Sequence, residues 1–335
     1  MNSLHKSMSR FTKIISLCIY LIYFYGNNLS ACAESLQNKG NHAIGDGNIC
    51  VYGQNSDIVQ FFGAPYSSPS AFRLVLTGAD SVKSDRIPGA AIWKHQIIRQ
   101  GAVISTQTDF LSSVASTFIR EIKSSAEVTY DLNLNTQSSG RLAESGILIR
   151  PEKEINTAEC NTSSYLIEVS SEVPLMFSYL PPKERYYRIR IRGNAKLNFA
   201  DSTNSKLQLK IFPGASDFLV TAGRTIEELD NKSKILSSNS ITSLYSNTQK
   251  QWNDFSAIHE KLMERFSEPG LKNAVYDGSV LIKSQQGTGG GVLAGHAYHM
   301  GYVRDQYGVS RGLLAMGHYG EAKKILEFKG YLIYS

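Results

Sequence analysis

The stretch RYYRIRIRG, Arg185 to Gly193, settles the character of the first two thirds of the chain. Tyr187, Ile189 and Ile191 alternate with Arg188, Arg190 and Arg192. A period of two gathers the apolar side chains on one face of a strand and the arginines on the other; a helix would scatter both sets. The arginine row then either meets an anionic partner or forms the solvated face of a half-buried sheet.

Similar runs lie on both sides of this stretch. AFRLVLTG (71–78), GILIRP (146–151), SSYLIEVSSEVPLMFSYLPP (163–182), AKLNFA (195–200) and KLQLKIFPG (206–214) are strand-like, rich in β-branched and aromatic residues, and bounded by turn chemistry. Many strands at this spacing, with few helical patterns among them, predict an antiparallel β-sandwich from about Gly47 to Ala222.

The pattern changes at Thr225. TIEELDNKSKIL places Thr225 and Glu228 at capping-box spacing, so a helix is expected to start there. The Ser/Asn-rich stretch SSNSITSLYSNTQ (237–249) reads as a linker. Helical periods then dominate in WNDFSAIHEKLMERF (252–266), LKNAVYDGSVLIKSQQ (271–286), RDQYGVSRGLLAMGH (304–318) and GEAKKILEF (320–328). On the third of these Val309, Leu313 and Met316 fall on one stripe, while Gly308, Gly312 and Ala315 would admit a close neighbour. With no strands between them, the helices should form hairpins rather than βαβ units. A few striped helices cannot close a core alone, so this chain is expected to be part of a longer protein.

At the other end, Lys6, Arg10 and Lys13 precede the apolar run IISLCIYLIYFY (14–25). That run falls short of the roughly 20 residues a bilayer span needs but suits a secretory signal. It leads into LSACA, which fits either a lipobox with Cys32 lipidated or an ordinary A-x-A cleavage site. Either outcome exports the protein to the periplasm or cell surface, with a membrane anchor in the first case. In such a compartment Cys50 and Cys160 are a candidate disulfide, although two separate buried thiols fit equally well.

Beyond the leader the charges nearly balance, with 32 basic and 29 acidic side chains, and no basic tract points to nucleic acid. The GTGGG loop (287–291) lacks the Gly-Lys-Ser/Thr ending of a phosphate loop and follows a helix, so it reads as a flexible loop at the rim of a site. His296, His299 and His318 have no carboxylate or cysteine at matching spacing, which predicts no metal; no other cofactor is implied either. No Gly-x-Ser-x-Gly elbow is present, and the carboxylates Asp254, Glu260, Glu264 and Asp277 read as solvated helix surface.

The remaining feature is GHAYHMGYVRDQYG (295–308). Arg304 and Asp305 can donate to and accept from vicinal hydroxyls through charge-assisted bonds, with aromatic rings beside them as an apolar platform. A structural ion pair at a helix N-terminus, where Asp305 favours the dipole, accounts for the same residues.

Residues 225–328, with TIEEL, QWNDF, AVYDGSVLIKSQQ, GGGVLAG and above all HAYHMGYVRDQYG leading into LLAMGHYGEAKKIL, resemble the start of the catalytic domain in bacterial glucoamylase-like glycoside hydrolases of family 15, six-hairpin glycosidases. That resemblance implies a multidomain β + α chain. An antiparallel super-β-sandwich (40–223) would follow a signal peptide (1–32), and a helical linker (224–250) would lead to the first hairpins of a truncated (α/α)6 toroid (251–335). In that family a Tyr-x-x-x-Trp-x-Arg-Asp signature lines the subsite for the non-reducing-end sugar. Tyr298, Arg304 and Asp305 match it, and Tyr302 stands where tryptophan is usual. The implied partner is an oligosaccharide or α-glucan, cleaved from its end with inversion by two glutamates about 6.5–9.5 Å apart. Those glutamates are expected downstream of Ser335. A carbohydrate-binding surface lipoprotein without catalysis, or a related disaccharide phosphorylase or trehalase, is the alternative.

Overall fold

The computed structural model describes residues 41–334, apart from 64–69, 135–145, 153–154, 158–159, 171–183, 200–205 and 293–302. Residues 42–335 form one compact unit. Cys32 lies outside the described residues. Cys50 is buried against Ala43, Tyr52 and Phe62, but the side chain of Cys160, its proposed disulfide partner, also lies outside them.

Among the described residues, fourteen strands build one curled, antiparallel sheet: β1 (Asn41–Gly45), β2 (Cys50–Gln54), β3 (Asp57–Phe62), β4 (Phe72–Thr77), β5 (Ser81–Arg86), β6 (Trp93–Arg99), β7 (Ala102–Ser112), β8 (Thr117–Ser124), β9 (Val128–Leu134), β10 (Gly146–Pro151), β11 (Ile155–Thr157), β12 (Cys160–Ser170), β13 (Glu184–Phe199) and β14 (Lys206–Gly223). The last of these turns the sheet back on itself. Its first half, Lys206–Ile211, pairs with β9, and its second half, Gly214–Thr221, pairs with β8. Along its whole length it also pairs with β13, whose register shifts between Gly193 and Ala195 opposite the bend. Such a shift bends the strand locally, which is how a long ladder serves both halves of a sandwich.

The alternation in RYYRIRIRG is realised as expected on its apolar face. Tyr187, Ile189 and Ile191 are fully buried, and the Tyr187 hydroxyl donates to the Gly63 carbonyl at 2.9 Å. On the arginine face Arg190 and Arg192 stay partly exposed, while Arg188 meets acidic partners of this same chain. Arg188 is buried, with its guanidinium donating to both Glu152 carboxylate oxygens (2.7 and 2.8 Å) and to Asp230 (2.8 Å) and Ser233 (3.1 Å). Asp230 and Ser233 belong to α1 (Ile226–Ser237), which roofs this face, so Arg188 tethers the first helix to the sheet.

Six helices follow the sheet among the described residues: α1, α2 (Ile241–Ala257), α3 (Glu260–Met263), α4 (Pro269–Gln285), α5 (Val303–Ala315) and α6 (Tyr319–Tyr334). Thr225 caps α1 as its spacing predicts, its hydroxyl accepting from the Glu228 amide at 3.1 Å. Glu228 reaches back to the Arg224 amide at 2.8 Å. The stretch read as a linker is instead mostly helix. Ser240 caps α2, and Leu244, Thr248, Trp252 and Phe255 return at helical spacing to a buried face. Its small hydroxyl residues fit against the sheet, with Thr248 donating to the Leu111 carbonyl and Ser256 to that of Gly89. An ion pair between Arg86 and Asp277 adds α4 to the same contact.

One carboxylate is strained by the packing. Asp217 on β14 stands in register with Arg192 on one side and Glu121 on the other. Burial pushes its carboxyl up to about 6; Arg192 pulls it back, while Glu121 pushes the same way as burial. A carboxyl raised in the fold binds a proton more tightly there than in the unfolded chain, so this group's contribution declines as pH rises from about 4 to 6. Asp217→Asn should therefore raise stability at pH 8 by about 1–2 kcal/mol and change little at pH 4. Urea unfolding at both values checks this, and an equal effect at both would contradict it.

Candidate functional site

The helices carry the residues that the sequence singled out. Buried Gln306, Ser310 and Leu313 give α5 a stripe that packs on Val292, Ala322 and Ile325. Val309 and Met316 join this cluster, in line with the sequence stripe. Among the described residues nothing lies within 4 Å of a side chain built on Gly308 or Gly312. Gln306 fixes where α5 begins: its side-chain oxygen accepts from the Val292 amide at 2.9 Å, and its side-chain nitrogen donates to the Val292 carbonyl.

On that anchored first turn sit Arg304 and Asp305. The Arg304 side chain is 91% exposed and that of Asp305 30%. Arg304 Nε lies 3.5 Å from Asp305 Oδ1. At that separation and exposure the pair contributes little to stability, about 0–1 kcal/mol, which weakens its explanation as a structural brace. Tyr298 and Tyr302 lie outside the described residues, as do His296 and His299.

The glycine loop is not a free rim. Gly287 donates to the Gly291 carbonyl and Gly290 to that of Gly287, each at 2.8 Å, while Thr288 donates to Gly47 in the sheet region. Gly290 has φ +96°, and a Cβ there would collide with the Lys324 backbone of α6. The glycines are needed for a tight, packed turn between the sheet and the last helix.

His318 has a partner that its sequence neighbourhood gave no sign of. Its Nε2 lies 2.9 Å from Nδ1 of His259, 59 residues earlier, and both rings are fully buried. Phe255 stacks on His318 at 4.1 Å, and Tyr276 of α4 lies 4.9 Å from His259. The pair therefore joins the α2–α3 break to the α5–α6 turn with α4 alongside. Lys283 and Glu321 form an ion pair beside it at 3.2 Å. No helix among the described residues is long and apolar enough to cross a membrane.

No family model matches the sequence, and no curated protein matches it. Among solved structures, the chain is similar to a protein from the human microbiome provisionally assigned as a kojibiose phosphorylase, with a TM-score of 0.47 and 11% identity. The match covers 87% of this chain but only 46% of that one, so the chain spans less than half the length of the structure it matches.

Proposed function

We propose that this chain is the N-terminal part of an exported glucoamylase-like glycoside hydrolase, held at the membrane through a lipid on Cys32. Its Arg304 and Asp305 would grip the terminal sugar of an α-glucan or oligosaccharide. The observation that carries this reading is the presentation of Arg304, mostly open to solvent, beside a partly exposed Asp305 on a first helical turn pinned by Gln306. A planar guanidinium and a carboxylate side by side can bind two adjacent hydroxyls at once, one as donor and one as acceptor. Tyr298 and Tyr302 would supply the rings against which the sugar's C–H face rests.

The full-length protein, assayed on maltooligosaccharides, should release glucose with inverted anomeric configuration, and Asp305→Ala should reduce kcat/KM by at least about 100-fold with the fold intact. That loss corresponds to roughly 2.7 kcal/mol of transition-state binding. Activity untouched by Asp305→Ala removes the subsite assignment. Release of glucose 1-phosphate in place of glucose would instead identify a phosphorylase.

A further inference from the structure

We infer that His42, His95 and Asp109 form a binding site for a divalent transition cation of the zinc class inside the β-sandwich. These residues come from β1, β6 and β7, and their donor atoms all lie within 4.8 Å of one another. Two imidazoles and one carboxylate are a donor set suited to such ions.

His95 carries most of the argument. It is fully buried, and its Nδ1 lies 2.8 Å from the Ser84 hydroxyl. Its Nε2 is buried and makes no hydrogen bond among the described residues. When Nδ1–H donates to Ser84, Nε2 is left as a lone pair facing inward, the way an outer-shell partner orients a metal-bound imidazole. Oδ2 of Asp109 lies 3.4 Å away. That is too long for a full hydrogen bond. It matches the edge of a tetrahedron with arms of about 2.0–2.2 Å, which is about 3.3–3.6 Å.

Asp109 is already held. Arg120 donates to Oδ1 at 2.8 Å and to Oδ2 at 2.6 Å. A carboxylate has about four lone-pair directions, and this grip uses two of them. It fixes the carboxylate and leaves a direction of Oδ2 toward His95. The guanidinium's positive charge works against a cation, and the carboxylate of Asp57, close enough to act on both Arg120 and His95, works against that charge. His42 decides between a site and a closed ion network. It brings a third donor to within 4.8 Å of the other two, its ring 5.6 Å from that of His95 and stacked on Trp93 at 4.5 Å. A side chain on Gly53 would occupy the space of the His42 ring. His42 is only partly buried, which gives an ion a route in.

The test uses tag-free protein stripped with chelator and titrated with cobalt(II), whose visible spectrum reports a four- or five-coordinate site, followed by displacement with zinc. One equivalent should bind, and zinc should raise the melting temperature. His42→Ala, at a partly exposed position, should abolish both effects while keeping the far-UV spectrum. Ser84→Ala should weaken affinity by about 10–100-fold, as loss of an outer-shell partner does. Absence of a cobalt spectrum in the wild type, or a spectrum that survives in His42→Ala, overturns the proposal.

Discussion

Asp109→Ala should destabilise the fold by about 3–5 kcal/mol, the usual effect of leaving one member of a buried ion pair without the other. Arg120 stands directly across the ladder from Asp109, and both are fully buried. Burial alone would push the Asp109 carboxyl up, but the adjacent guanidinium overrides it and holds the group well below the usual carboxylate range. The same partner keeps Arg120 charged against its own burial. Without Asp109, the described surroundings offer Arg120 chiefly the face of Tyr130, 5.3 Å from the guanidinium carbon. The cost should be nearly constant above pH 4, because the depressed carboxyl stays ionised there, and should shrink only as pH falls below the unfolded value. Asp109→Leu combined with Arg120→Met should recover most of the loss, since a packed apolar pair avoids the desolvation of two charges. Urea midpoints of the three proteins measure this; a loss below about 1 kcal/mol for Asp109→Ala would mean that water reaches Arg120.

That buried pair also marks where the sequence stopped being legible. Strands with one clean apolar face announced themselves: Tyr187, Ile189 and Ile191 are read from spacing alone and are all buried. Segment TQTDFLSS gives the opposite impression, since alternating polar residues ordinarily mean a wet face. Here that face points into the sandwich, where Gln107 accepts from the Tyr130 hydroxyl at 2.9 Å and Asp109 meets Arg120. Polar residues can line an interior when they satisfy one another, and the partners come from other strands, which no local pattern displays. Arg188 leaves the solvated face for a related reason: Asp230 and Ser233, which hold it, lie more than 40 residues downstream. In α2 the serines and threonines suggested a linker, yet their small size is what lets the helix lie close to the sheet. Arg304 and Asp305 were legible as a pair at a helix start, and the near-complete exposure of Arg304 was not.

Acidification from pH 7 to pH 4 should cost the helical region about 3 kcal/mol through the His259–His318 pair. Burial lowers the His318 imidazole to about 4, with His259 and Lys283 acting in the same direction and Glu321 against them. Burial lowers His259 too, opposed by Glu260. The sign follows from proton uptake. Both rings are neutral in the fold but would charge near pH 6.5 once unfolded, so the stability is fully present above 6.5 and is lost as pH falls toward 4. For His318 alone a fall from the usual 6.5 to about 4 corresponds to about 3 kcal/mol. The geometry explains why the loss should be sharp. At 2.9 Å one nitrogen donates and the other accepts, and a second proton turns the bond into two opposed N–H groups. His318→Gln removes the titration, so its stability should vary less with pH between 6.5 and 4.5 than that of the wild type, whatever its absolute value. Asp217 contributes the opposite slope over part of this range and is present in both proteins, so it cancels in the comparison. Parallel pH profiles for wild type and His318→Gln would show that the pair admits water or moves apart before it charges.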